Sequence, residues 1–147
     1  MEYNADGPDL ARAGEKAIAA PALLQDIRAL RAFATQLGEG VLGESQGYDP
    51  ICNCQDWEHV KVTGIDIKIL PENMAEAKVF YLNMGNPFER EFILKWVRLD
   101  DQNKGRWLID DIKTPEHENP EMTSFHKLVR QDIIHAEKYR TKQHGLQ

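Results

Sequence analysis

The hydrophobic period of the chain changes from about 3.6 residues to two at Val60, and this change limits the fold more than any other feature. Beyond it, apolar and polar side chains alternate in four runs bounded by turn residues, at positions 65–69, 75–84, 91–99 and 107–112. The connections between neighbouring runs are short and polar, so each pair must be antiparallel. The sequence therefore predicts a four-stranded antiparallel meander over residues 60–112.

Both faces of this predicted sheet are apolar. The first run has one dry face, formed by Ile65, Ile67 and Ile69, and one polar face. The third run carries apolar side chains on both faces: Phe92, Leu94 and Trp96 on one, and Ile93, Val97 and Leu99 on the other. A single helix covers one face of a sheet, so we expect the second face to be closed by the C-terminal helix, by another subunit or by a partner.

Helices are predicted before and after the meander in the sequence. Pro21 suits the first turn of a helix, apolar residues follow it at steps of three and four, and Gly38 ends the pattern. A last helix is predicted to begin near Asn119 and Pro120. Residues 1–20 are interpreted as a helical arm. The result is an α+β fold in one domain, residues 1–147, with an N-terminal helix or helices, a curved four-stranded antiparallel sheet and a C-terminal helix.

Composition excludes several classes of function. The 147 residues carry a net charge of −6, which argues against a nucleic-acid or anionic-membrane surface and favours a basic partner. No apolar run reaches the roughly 18 residues that a membrane-spanning helix needs. The first residues show no secretory signal, so the chain is expected to be periplasmic or envelope-associated if a signal has been removed, and cytoplasmic otherwise.

The loop DPICNCQDW, residues 49–57, and His59 beyond it hold the densest set of reactive side chains. Cys52 and Cys54 are two residues apart with no second Cys or His pair, a spacing that does not favour zinc, so neither a metal nor another cofactor is predicted. The two cysteines are left as either a small disulfide ring or free thiols. A Cys54–His59 nucleophilic pair would need a contact that the spacing does not establish, so no catalytic residue is assigned.

Two segments, DPICNCQDW and the closing strand GRWLIDDI (residues 105–112), resemble an uncharacterised bacterial domain family of the nuclear-transport-factor-like (cystatin-like) superfamily. The resemblance covers about residues 21–112 and implies a cone-like fold. Some members of that family resemble immunity proteins that neutralise toxic effectors. The resemblance implies a binding protein without catalytic activity, whose partner is a basic effector toxin; a homodimer is a further expectation.

Candidate residues follow for each of two functions. For partner binding, aromatic and acidic side chains of the loop region are expected to supply anchors and charge complementarity: Asp49, Asp56, Trp57, Glu58 and His59. The alternative implied by the cone-like fold is a small-ligand pocket or a hydratase/isomerase-like enzyme. Its pocket is expected to be lined by Tyr81, Trp96, Trp107 and Asp111, with Asp111 as a base. In the structural interpretation of the same residues, the tryptophans pack in the core and the aspartate caps a strand end.

Overall fold

The computed structural model describes residues 8–38, 43, 49–52, 58–99, 104–115 and 122–145. Helix α1 (Pro21–Leu37) precedes an antiparallel sheet, and helix α2 (Phe125–His144) follows it. The predicted α+β class is therefore confirmed, as are the bounds of α1, which begins at Pro21 and has Gly38 as its C-cap.

The sheet contains the four predicted strands and a short fifth one. The strands are β1 (Val60–Leu70), β2 (Met74–Asn83), β3 (Asn86–Arg98), β4 (Gly105–Pro115) and β5 (Met122–Ser124). They lie in the order β1-β2-β3-β4-β5, and every neighbouring pair is antiparallel. The meander order places β1 and β5 at the two edges.

Tight turns and two irregularities set the register. The β2–β3 hairpin closes through Met84 and Gly85, which both have positive φ angles, as a two-residue turn between right-twisted strands requires. Thr63 is an extra residue in β1, because Val62 pairs with Tyr81 and Gly64 with its neighbour in β2. A second bulge lies in β4 at Asp110, and such bulges bend the strand and increase its twist.

The described part of the N-terminal arm, residues 8–20, differs from the predicted helix. It contains one short 3-10 turn, Gly14–Lys16, and then runs extended beside β4. The N–H of Ala20 donates to the carbonyl of Ile109, and the N–H of Ile109 donates to the carbonyl of Ile18, both at 2.7 Å. The reason is that the arm has few large apolar side chains to support a helix, whereas strand-like pairing buries its small alanines against the sheet.

The core lies between the two helices and one face of β2, β3 and β4. Its helical members are Leu23, Ile27 and Leu30 from α1 and Phe125 and Val129 from α2, and its strand members are Ala77, Val79, Tyr81, Phe92 and Ile112. The helices pack against each other and against β4, and α2 also contacts β5. Val60, at the start of β1, packs against this core, but Ile65, Ile67 and Ile69 do not belong to it and are exposed, so the sheet is covered unevenly.

The start of the C-terminal helix differs from the prediction. Asn119 and Pro120 lie outside the described residues, but Met122 belongs to β5 and the helix begins at Phe125. Ser124 is the N-cap, and its Oγ accepts a hydrogen bond from the N–H of Lys127 at 3.1 Å. The helix ends at His144.

Candidate functional site

The uneven cover leaves an apolar surface on the helix-facing side of the sheet. Ile69 pairs with Ala75, which pairs with Leu94, and directly paired residues of antiparallel strands share a face. Trp96 lies two residues after Leu94 and pairs with Trp107, so both rings share that face too. We call this surface the open face and define it by Ile65, Ile67, Ile69, Trp96 and Trp107.

Exposure distinguishes the open face from an ordinary core. The three isoleucines are 56–68% exposed, and the two tryptophans are 38% and 40% exposed. The predicted dry face of the first strand is therefore not covered by any described part of the chain. Single exposed apolar side chains are common, but a contiguous row together with a tryptophan pair is typical of an interaction surface.

The tryptophan pair is held in a defined arrangement. The rings of Trp96 and Trp107 meet edge to face, with centroids 5.4 Å apart. Gly105 allows this arrangement because a Cβ atom at that position would lie 2.6 Å from Cε2 of Trp96. The hydrogen bond from the N–H of Trp96 to the carbonyl of Asn73, at 2.8 Å, fixes the strand beneath the ring. The pair is thus a preorganised aromatic element.

The opposite face of the sheet carries alternating charges. Asp66, Lys78, Glu91 and Lys113 are paired in sequence across β1, β2, β3 and β4. Burial and a hydrogen bond with Glu76 raise the pKa of Glu91, and the neighbouring lysines oppose that rise. This face is therefore polar near β1, where the open face is apolar.

The loop residues that were predicted to bind a partner are only partly described. The Oδ1 of Asp49 accepts a hydrogen bond from the N–H of Ile51 at 2.9 Å, and Ile51 is buried in the core. Glu58 and His59 are exposed, and Nε2 of His59 lies 3.9 Å from Oε2 of Glu58. Asp56 and Trp57 lie outside the described residues. The start of the loop is thus anchored in the core, and its far end emerges at the surface beside β1.

Of the two cysteines predicted to be either disulfide-bonded or free thiols, Cys52 lies in the described part of the chain. Cys52 is 1% exposed and disulfide-bonded, so it is not a free thiol. Cys54, the other cysteine of the chain, lies outside the described residues. A buried, oxidised sulfur is not available as a nucleophile, because nucleophilic attack needs an accessible thiolate.

The four residues of the predicted ligand pocket are not brought together. Trp96 and Trp107 contact each other, but Tyr81 stacks on Phe88 with centroids 4.8 Å apart. Phe88 and Trp96 are eight residues apart on β3, which corresponds to about 26 Å along a strand. Tyr81 and the tryptophan pair therefore cannot line one small cavity.

Asp111 caps the second helix rather than facing a cavity with Tyr81. Its Oδ1 accepts hydrogen bonds from the N–H groups of His126 at 2.9 Å and Ile112 at 2.8 Å. Its Oδ2 accepts a bond from Oγ of Ser124 at 2.5 Å. Three donors occupy the carboxylate at the positive end of α2, an arrangement that stabilises a helix terminus.

A second polar cluster joins the helices and was not foreseen from the sequence. Nε2 of the nearly buried His126 lies 2.6 Å from Oδ2 of Asp26, and Nε of Arg130 lies 3.2 Å from the same oxygen. Asp26 is on α1 and the other two residues are on α2, about 100 positions away. Helical spacing alone places these residues off the apolar stripes and offers no signal that they meet. The cluster fixes α2 against α1.

Two open grooves accompany these features. A groove of about 490 Å³ lies over the β1 bulge, with Gly64, Phe80 and Phe88 among its lining residues. A smaller one, of about 350 Å³, lies between α1 and β4, with Leu24 and Leu108 in its wall. Tyr81 lines the first groove, but Asp111 and the tryptophan pair line neither. Neither groove therefore corresponds to the predicted pocket.

Tyr81 gives a pH-dependent prediction. Burial raises the pKa of Tyr81 to about 12, with nearby Arg90 opposing the rise and Asp49 adding to it. The folded protein keeps the phenol proton between pH 10 and 12, where the unfolded chain loses it, so this contribution to stability is complete below pH 10 and is lost as the pH rises. In urea denaturation at pH 9, 10 and 11, the midpoint of the wild type is expected to fall more steeply than that of Tyr81→Phe.

The control for this prediction is Tyr139→Phe, which changes a half-exposed tyrosine on α2. Its midpoint should follow that of the wild type over the same pH range. Parallel curves for the wild type and Tyr81→Phe would contradict the assigned environment of Tyr81.

The described residues show neither a metal-binding cluster nor a membrane-spanning helix. Among the described residues, no group of three or more His, Cys, Asp or Glu side chains is placed to hold a metal ion. None of the described helices has the length and apolar character to cross a membrane. Comparison of the chain with protein-family models, with characterised proteins and with solved structures finds no match.

Proposed function

We propose that this chain is a non-catalytic binding protein that docks a protein partner on its open face. The observation that carries the proposal is the exposure of three isoleucines and two tryptophans on the same side of the sheet as the core. Aromatic anchors surrounded by smaller apolar contacts are the usual composition of interface hot spots. The fixed geometry of the tryptophan pair reduces the entropy lost on binding.

The chemistry of the site supports binding rather than catalysis. The carboxylate proposed as a base, Asp111, is occupied by three hydrogen-bond donors, and Cys52 is oxidised. Tyr81 lies far from the tryptophan pair along the sheet. A binding protein needs none of these groups to react, whereas a hydratase or isomerase would need a base that can approach its substrate.

The partner is proposed to be a basic protein, in the most specific form a toxic bacterial effector. The net charge of −6 supports a basic partner because opposite charge accelerates encounter. The exposed pair Glu58–His59 precedes β1, so a partner seated on the open face can also reach the loop. The segments at residues 49–57 and 105–112 resemble a family with immunity-like members. This resemblance supports a toxic effector as the basic partner.

The test is a binding titration with the purified products of genes that neighbour the one for this chain, basic proteins first. A stable complex is expected, and Trp96→Ala should raise Kd by about 30-fold or more, as loss of a hot-spot tryptophan does. Gly105→Val should weaken binding in the same direction, because the added side chain displaces the Trp96 ring without removing it. Loss of the near-ultraviolet circular dichroism of the tryptophan pair would report that displacement.

Ile134→Ala is the matched control, since Ile134 is 52% exposed on α2 and outside the open face. It should leave Kd unchanged. Absence of any complex with neighbouring gene products would contradict the effector hypothesis, and equal binding by wild type and Trp96→Ala would contradict the open face as the docking surface.

A further inference from the structure

The outer edge of β1 is long, and no strand in the described part of the chain covers it. The strand has 11 residues and no proline. Half of the backbone N–H and C=O groups of an edge strand point away from the sheet and can pair with another strand. Proteins usually shorten, bend or cover such edges, so an edge of this length is a template on which another strand can pair.

The regular part of this edge has a defined centre. The bulge at Thr63 interrupts β1 on one side, and the turn that begins at Pro71 ends it on the other. Seven residues remain in regular register, from Gly64 to Leu70, and the middle one is Ile67. Antiparallel pairing of two identical copies uses this whole segment when the two-fold axis passes through Ile67.

The charges of the strand are self-complementary in that same register. With the axis at Ile67, Asp66 of each copy lies opposite Lys68 of the other, and Ile65 lies opposite Ile69. The apolar and polar faces of the two copies also stay on matching sides, because the paired positions have the same parity. An axis at Asp66 or at Lys68 would instead set two like charges opposite each other.

The charge pattern of the sheet extends through this contact. Within one copy, Lys113, Glu91, Lys78 and Asp66 alternate in sign across four strands. Lys68 of the second copy would come next, followed by Glu76, with which Lys68 is paired in its own sheet. Alternation therefore continues without a like-charge neighbour at the junction, which favours this arrangement over its competitors.

We propose that the chain forms a two-fold homodimer by antiparallel pairing of β1 with β1 of a second copy, centred on Ile67. The length of the regular edge and the charge pattern lead independently to the same register. Pairing joins the two sheets into one and sets the three isoleucines of each copy side by side in one apolar patch. The dimer uses the strand edge and not the tryptophan pair, so it does not depend on the proposed partner.

The test exploits the reciprocal contacts between positions 66 and 68. Asp66→Lys alone gives lysine at both positions and Lys68→Asp alone gives aspartate at both, so each variant sets like charges opposite each other twice in its own homodimer. Each is expected to weaken dimerisation by about tenfold or more relative to the wild type. An equimolar mixture of the two variants restores both opposite-charge contacts and is expected to form the mixed dimer.

Sedimentation equilibrium over a concentration series gives the dissociation constants, and circular dichroism confirms folding of each variant. Asp66 and Lys68 are both exposed, but each also faces an opposite charge in its own sheet, Lys78 or Glu76. Urea denaturation of each single variant therefore measures the loss of stability within one chain. Asp66→Asn and Lys68→Gln provide the same comparison with smaller effects if a reversal disturbs the fold. Lys61→Asp, in the same strand but beyond the Thr63 bulge, is the matched control and should dimerise like the wild type.

A wild type that remains monomeric throughout the series would overturn the homodimer. Single variants that dimerise as tightly as the wild type, or a mixture that stays dissociated, would overturn the register centred on Ile67. Neither outcome depends on binding of the basic partner, and failure of partner binding by a dimeric wild type would leave the dimer standing.

Discussion

Replacing Ile112 with alanine is expected to lower the free energy of unfolding by about 2–5 kcal/mol, the range for a fully buried aliphatic side chain. Ile112 is 0% exposed and pairs with Phe92 in the centre of the core between sheet and helices. Its removal loses apolar burial and leaves a cavity, because neighbours from α1, α2 and β3 are fixed by their own packing. A domain of ordinary stability would lose a large share of its folding free energy.

Urea denaturation measures this loss as a lower midpoint with an unchanged slope. Ile134→Ala removes the same atoms from an exposed position on α2 and should change the free energy by no more than about 0.5 kcal/mol. If the two variants were equally stable, Ile112 could not lie in a closed core, and the packing of the helices against β4 would be wrong.

Replacing Asp111 with alanine is expected to cost about 2–3 kcal/mol, since hydrogen bonds to a charged group contribute more than neutral ones. The substitution leaves three donors without their acceptor: the N–H groups of Ile112 and His126 and the hydroxyl of Ser124. It also removes a negative charge from the positive end of the α2 dipole. The beginning of α2 and its junction with β5 should therefore loosen together.

Hydrogen exchange of the first turn of α2, combined with urea denaturation, separates a local from a global effect. Asp111→Asn keeps one carbonyl oxygen and is expected to cost less than Asp111→Ala. Ser124→Ala should cost about 1 kcal/mol, as other N-cap replacements do. A more stable Asp111→Ala would be typical of a carboxylate strained for catalysis and would restore the enzyme hypothesis.

Periodicity and turn chemistry predicted the elements because these signals are local. Pro21 and Gly38 mark the ends of α1, and alternation identified β1 to β4 with their antiparallel order. The start of α2 was missed because Asn119 and Pro120 resemble a helix start and drew the prediction away from Ser124, the actual N-cap. The second group that caps this helix, the Asp111 carboxylate, comes from β4 and leaves no signal in the helix sequence.

The candidate site was predicted only where its contacts follow from neighbouring strands. The contact of Trp96 with Trp107 follows from adjacent strands, but Tyr81 shares only the parity of that face and lies far along it. The network of Asp26, His126 and Arg130 joins two helices across nearly the whole chain and could not be read from either helix alone.

The sequence by itself determined which side chains share a face, because a strand alternates its side chains whatever surrounds it. It thereby placed Ile65, Ile67 and Ile69 on one apolar face of β1 and put opposite charges at positions 66 and 68 between them. Only the tertiary structure decided that this face stays open, since the core joins α1 and α2 to residues of β2, β3 and β4 and leaves Ile65, Ile67 and Ile69 outside it. Whether an apolar strand face becomes core depends on where distant helices dock, and a local pattern does not contain that information.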